Sequence, residues 1–118
     1  FRMNYMHILT FAKKPFKLKN PHMVDVILDE RSTIVDGFKY GMSPLVCRMM
    51  IENHTNDNDV VYDPFMGSGT TAIAALEINR NYLGSEINEE YYKLCNKRIK
   101  SDLTNSNLFG TILETNRG

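Results

Sequence analysis

Residues 60–86 read VVYDPFMGSGTTAIAALEINRNYLGSE, and this stretch decides the fold. Val60-Val61-Tyr62 is a compact apolar strand that ends at Asp63. Gly67-Ser68-Gly69 follows as a tight turn, where the missing Cβ atoms let the backbone bend sharply and approach a ligand closely. Thr70 to Asn79 is the helix entered from that turn, with the small residues Ala72, Ala74 and Ala75. Its first free N–H groups and its positive dipole end face the turn. Asn81 to Glu86 is a second strand, with Tyr82 and Leu83 as its apolar part. Strands joined through a helix in this way run parallel, so their ends lie side by side and Glu86 faces the glycine turn across a crevice. A carboxylate at that place can accept hydrogen bonds from both hydroxyls of a ribose. The pattern predicts nucleoside binding at a doubly wound α/β sheet.

The same residues satisfy G-x-G-x-x-A at Gly67, Gly69 and Ala72, a dinucleotide fingerprint. An NAD-type dinucleotide enzyme built on Gly67, Gly69 and Glu86 is therefore one alternative. A non-catalytic nucleoside-binding module is another, and a tight turn without a ligand is the plainest. Asp63 separates them in part: a negative charge beside the turn repels a pyrophosphate and suits a cationic or zwitterionic ligand.

Working outward, Asn88 caps a helix from Glu89 to about Lys100, with two acids in its first turn and Lys97, Arg98 and Lys100 in its last, an order that suits the dipole. Leu94, Cys95 and Ile99 form its expected buried stripe, and Tyr91 and Tyr92 are expected to pack it on the sheet. Upstream, Ser43-Pro44 starts a helix as N-cap and first position, reaching about Asn53 and burying Val46, Met49 and Met50. Asn53 to Asp59 is a polar break. Tyr5 to Ala12 reads as a strand, and Met23 to Leu28 as a short strand or helical turn. Ser101 to Gly118 is a polar tail with one weak strand. Met42, Met49, Met50 and Met66 read as gap-filling core residues.

The 118 residues make one small domain, since domains run to about 100–150 residues. An apolar content of 42% with 24% charged residues excludes a disordered acidic tail or a fibrous repeat. Lys+Arg and Asp+Glu stand at 14 each, so a nucleic-acid partner must be met by a local patch rather than by net charge. Lys13, Lys14, Lys17 and Lys19 around Phe16 are the candidate; a solvated basic loop is the plain alternative. Cys47 and Cys95 are far apart and fall in helices, which suits buried thiols in a reducing, cytoplasmic setting. His7, His22 and His54 lack metal-ligand spacing, and no metal is expected. Phe1 in place of Met reads as a removed start or a piece of something longer.

DPFMGSGTT followed by YLGSEINEEYYKLCNKRI closely resembles the S-adenosylmethionine-binding part of the DNA amino-methyltransferases, which methylate adenine N6 or cytosine N4, often in restriction–modification systems. The likeness is dense from Val60 to Ile99. Tyr5 to Lys14 is similar to a late strand of the family, and the Ser43-Pro44 helix to the element just upstream of the cofactor turn, although the usual lysine before the proline is replaced by Ser43. This order implies the permuted arrangement, with the catalytic motif ahead of the cofactor motif. That motif is Asp/Asn/Ser-Pro-Pro-aromatic, whose ring stacks on the flipped base. The chain has four prolines and no Pro-Pro pair, so the catalytic centre is absent from it.

The resemblance implies a partial doubly wound, Rossmann-like methyltransferase fold, with a late strand and short target-recognition-like segment over 1–42 and a cofactor-binding part over 43–118. Asp63, Phe65, Gly67, Gly69 and Thr70, with Ser68 between them, are implied to shape the methionine end of the site. Glu86 is implied to hold the ribose hydroxyls, Ile87 to pack on adenine, and Met42 and Ser43 to contact the methionine carboxylate. The implied cofactor is S-adenosylmethionine and the implied substrate double-stranded DNA. An incomplete sheet has an open flank, which predicts a homodimer or a partner chain carrying the Pro-Pro-aromatic motif.

Overall fold

The computed structural model describes residues 8–15, 17–20 and 42–105. Its elements follow in the order α1 (Pro44–His54), β1 (Val60–Asp63), α2 (Thr70–Glu77), β2 (Asn81–Gly84) and α3 (Glu89–Asn105). Ser43 starts α1 as expected: it is extended, its hydroxyl accepts from the Val46 amide at 3.4 Å, and Pro44 occupies the first turn. The helix ends where Thr55 becomes extended and its hydroxyl donates back to the Ile51 carbonyl at 2.6 Å. Cys47 and Ile51, one turn apart, pack on Ala74 and Ala75 of α2. Val46 is buried with them, whereas Met49 and Met50 are only half-buried. The small alanines let α1 approach α2 along the Cys47–Ile51 line, and that line sets which face turns inward.

β1 and β2 pair in parallel, with Val60 opposite Asn81, Val61 opposite Tyr82, Tyr62 opposite Leu83 and Asp63 opposite Gly84. Val61 and Tyr82 face the helices. Tyr82 also meets a second cluster, in which Met66, Ala72 and Ile73 pack against Cys95, Ile99 and Leu103 of α3. The alternate positions point away: Val60, Tyr62 and Leu83 are 63%, 60% and 58% exposed. Parallel sheets are ordinarily buried on both faces. Among the described residues this one is covered on one face only, and the edge of β1 away from β2 pairs with no strand.

Several expected boundaries move. α2 stops at Glu77, because Ile78 leaves the helical region and Asn79 takes a left-handed φ of 60°. β2 stops at Gly84, so Glu86 lies two residues past the strand. α3 continues to Asn105, so Lys97, Arg98 and Lys100 fall before its last turn rather than in it. Its buried line is Cys95, Ile99 and Leu103, with Leu94 and Tyr92 outside it, since a spacing of four keeps residues on one face. Met42 is exposed; of the four methionines only Met66 is fully buried. The strand expected over Tyr5 to Ala12 is not formed across 8–12: Ile8, Leu9 and Phe11 stay exposed, and no ladder partner is present among the described residues. Tyr5 to His7, Met23 to Leu28 and the tail beyond 105 lie outside the described residues.

Two long-range anchors close the rear of the unit. The Lys19 amide donates to the Asn53 carbonyl at 3.3 Å, and the Asn20 amide to Asn53 Oδ1 at 2.6 Å. Arg80 is buried between the two loops that precede the strands. Its Nε donates to Thr55 Oγ1 at 3.0 Å, Nη2 to the Thr55 carbonyl at 2.9 Å, and Nη1 to Asp57 at 2.7 Å and to the Ile78 carbonyl.

Candidate functional site

Asp63 ends β1, and its Oδ1 accepts from the Phe65 amide at 3.0 Å, which turns the chain. The Met66 amide then donates to the Ser85 carbonyl at 3.0 Å, and the Ser85 amide to the Asp63 carbonyl at 3.1 Å. These bonds tie the turn to the residues that follow β2. Met66 also receives the Tyr82 hydroxyl on its sulfur at 2.6 Å. Gly84 makes room for it, since a Cβ there would lie 2.5 Å from Met66 Cγ.

Gly67 and Gly69 have φ values of 48° and 77°, in the left-handed region that favours glycine. Gly69 has a second reason to be glycine: its Cβ would come within 2.6 Å of Cys95 Sγ. The Gly67 amide donates to Glu86 Oε2 at 3.0 Å, while the Asn88 amide donates to Glu86 Oε1 at 2.9 Å. The amides of Asn88 and then Gly67 hold the Glu86 carboxyl below its ordinary value, so it is an anion at neutral pH. Asn88 in turn accepts from the Tyr91 amide at 3.0 Å, capping α3 as the sequence predicts. Phe65 and Ile87, beside these two residues, are 86% and 102% exposed and present apolar side chains to solvent.

Ser68 and Thr70 turn the other way. Both are buried, their hydroxyl oxygens lie 3.1 Å apart, and Arg98 Nη1 donates to the Ser68 carbonyl at 2.7 Å and to Thr70 Oγ1 at 3.0 Å. In the sequence reading Arg98 has no role at the turn: it counts as a charge for the helix dipole and as part of the stretch that carries the family resemblance. The available signal was its place three residues after Cys95, on the flank of the face that packs inward. Ser43 is spent as the cap of α1. Burial pushes up the thiol of its one-turn neighbour Cys47, and a hydrogen bond with the Thr71 side chain works against that rise.

The structure thus joins Gly67 to Glu86 directly, with Asp63, Phe65 and Ile87 along the same rim. The donor set fits a nucleoside: an ionised carboxylate for vicinal hydroxyls, exposed apolar side chains beside it, and backbone free of Cβ at the turn. An open apolar cleft of about 350 Å³ lies elsewhere, between Leu9, Phe11, Met50, Ile51, His54 and Val61, and shares no residue with this rim.

Comparison with known proteins agrees with that geometry. The sequence model of a family described as DNA methylase, of the N6/N4 class, matches residues 17–97. The chain belongs to the DNA methylase family. It is 37% identical over 81 residues to the type II methyltransferase M.HindIII of Haemophilus influenzae, covering 67% of this chain and 26% of that protein. It is 53% identical over 47 residues to the orphan methyltransferase M.BamHII of Bacillus amyloliquefaciens, covering 40% and 18%. The crystal structure of an M1.HpyAVI–SAM complex superimposes with a TM-score of 0.62 at 30% identity, covering 74% of this chain and 45% of that one. The chain therefore spans about a quarter or less of the length of these two methyltransferases. The mixed α/β unit with its small parallel sheet is part of the Rossmann-like fold of S-adenosylmethionine-dependent methyltransferases.

Proposed function

We propose that this chain is the S-adenosylmethionine-binding portion of a DNA methyltransferase that acts on the exocyclic amino group of adenine (N6) or cytosine (N4). The observation that carries the reading is the Gly67 amide and the Glu86 carboxylate facing each other at the ends of parallel neighbouring strands. In this reading 43–118 is the cofactor-binding part, and 1–42 carries the late strand and the target-recognition-like segment. Glu86 holds the ribose hydroxyls, Ile87 packs on the adenine, and Asp63, Phe65 and the Gly67–Thr70 turn shape the methionine end near Ser43. The cofactor supplies the activated methyl group. The chain's own residues bind and orient it, and positioning the methyl in line with the amino nitrogen is the main catalytic demand.

DNA is the proposed substrate, and Lys13, Lys14, Lys17 and Lys19, all exposed, are the proposed backbone contacts. The cytoplasm is the proposed setting; no described helix is long and apolar enough to cross a membrane. The sheet face left uncovered and the edge of β1 left unpaired among the described residues support a partner that carries the Pro-Pro-aromatic motif, or else a homodimer. Light scattering that finds a monodisperse monomer would contradict the homodimer. The dinucleotide alternative is not favoured, given the family and the Asp63 carboxylate at the turn.

Calorimetric titration with S-adenosylhomocysteine tests the reading. Micromolar binding is expected, with loss in Glu86→Ala. A folded chain that binds neither this ligand nor S-adenosylmethionine would overturn it, and binding of NADH would favour the alternative.

A further inference from the structure

We propose that Arg98 is a positioning residue for the glycine turn, holding it in its ligand-ready shape from beneath. The proposal rests on the cofactor reading of that turn. Nothing local places an arginine there: Arg98 is 30 residues from Ser68 and belongs to another helix. A cation beside the start of α2 also opposes that helix's dipole, so helix stability does not account for it. Its two acceptors do. Nη1 donates to the Ser68 carbonyl at 2.7 Å and to Thr70 Oγ1 at 3.0 Å, so one nitrogen ties the backbone before Gly69 to the side chain that follows it. The same helix face presses Cys95 and Ile99 against Gly69, where any Cβ would collide. Arg98 from one side and the Glu86 carboxylate on Gly67 from the other thus clamp a turn whose two glycines have no side chains to hold them.

Backbone amide hydrogen exchange by NMR, on the ligand-free chain, tests this directly. Arg98→Met keeps an apolar stem and removes every donor. It is expected to raise exchange at Gly67 and Gly69 about tenfold or more, the scale of a lost charge-assisted hydrogen bond, and to a smaller extent at Ile73, whose amide donates to the Gly69 carbonyl, with Leu76, Tyr82 and Cys95 unchanged. Arg98→Lys, which keeps a charged donor, is expected to restore part of the protection. Thr70→Val removes one acceptor with little change of shape, and should raise exchange at Gly69 by a smaller factor even if Arg98→Met does not fold. Unchanged exchange at the turn would overturn the proposal, as would a uniform rise across α2, β2 and α3, which marks a mere stability anchor.

S-adenosylhomocysteine titration of the same folded variants separates the two readings. Weaker binding in Arg98→Met than in the parent supports positioning for the ligand. Absence of binding in the parent sinks the proposed function, and the exchange pattern still decides the role of Arg98.

Discussion

The Gly67 amide donates to Glu86 Oε2 across 3.0 Å, although the two residues are 19 positions apart in the chain. This bond joins the turn after β1 to the segment after β2, and it places the carboxylate where a nucleoside's hydroxyls would compete for it. In the proposed reading, ligand binding and turn geometry share one group.

Replacing that group has a pH signature. Asn88 and Gly67 depress the Glu86 carboxyl, so its contribution to stability is present above its ordinary value of 4.5 and is lost as pH falls through the lower folded value. The stability difference between the parent and Glu86→Gln should be constant from pH 6 to 8 and shrink only below about pH 4.5. Urea unfolding at each pH measures it. At neutral pH, Glu86→Gln should weaken S-adenosylhomocysteine binding by about ten- to a hundredfold.

Gly69→Ala should destabilise the chain by about 2–4 kcal/mol, combining a left-handed φ with overpacking against Cys95. Adding Cys95→Ala should recover the overpacking part and leave the backbone part. Full recovery in urea unfolding would show that the φ of 77° carries no cost here.

Tyr82 donates its hydroxyl to Met66 Sδ, and burial first of all pushes its phenol up to about 12 from an ordinary 10.0. A raised folded value means that its stabilising contribution is intact below pH 10 and is lost between 10 and about 12. Tyr82→Phe should therefore cost about 1 kcal/mol at neutral pH and flatten the alkaline loss of stability relative to the parent. Thermal melts across that range read both effects.

Arg80→Met should cost about 2–3 kcal/mol, because Thr55 and the Ile78 carbonyl lose a charged donor in a buried place. Asp57→Asn should cost far less, since Asp57 is 68% exposed and its ion pair is screened by solvent. Equal losses in the two variants would place the clamp's strength in the ion pair instead.

The residue order by itself determined the strand–turn–helix–strand unit, the caps at Ser43 and Asn88, the glycine turn and the acid that faces it. Each of these follows from local chemistry: a missing Cβ, a capping side chain, an apolar run of strand length, or the rule that strands joined through a helix lie parallel. Only the tertiary structure decided that Ser68 and Thr70 turn inward to Arg98, that Arg80 ties both pre-strand loops, and that Leu103 rather than Leu94 completes the buried line of α3. It also decided that Ile8 to Ala12 form no strand, for a strand exists only with a neighbour to bond. These outcomes depend on which helix face meets which loop across 25 to 30 residues of chain, and no short-range spacing encodes that meeting.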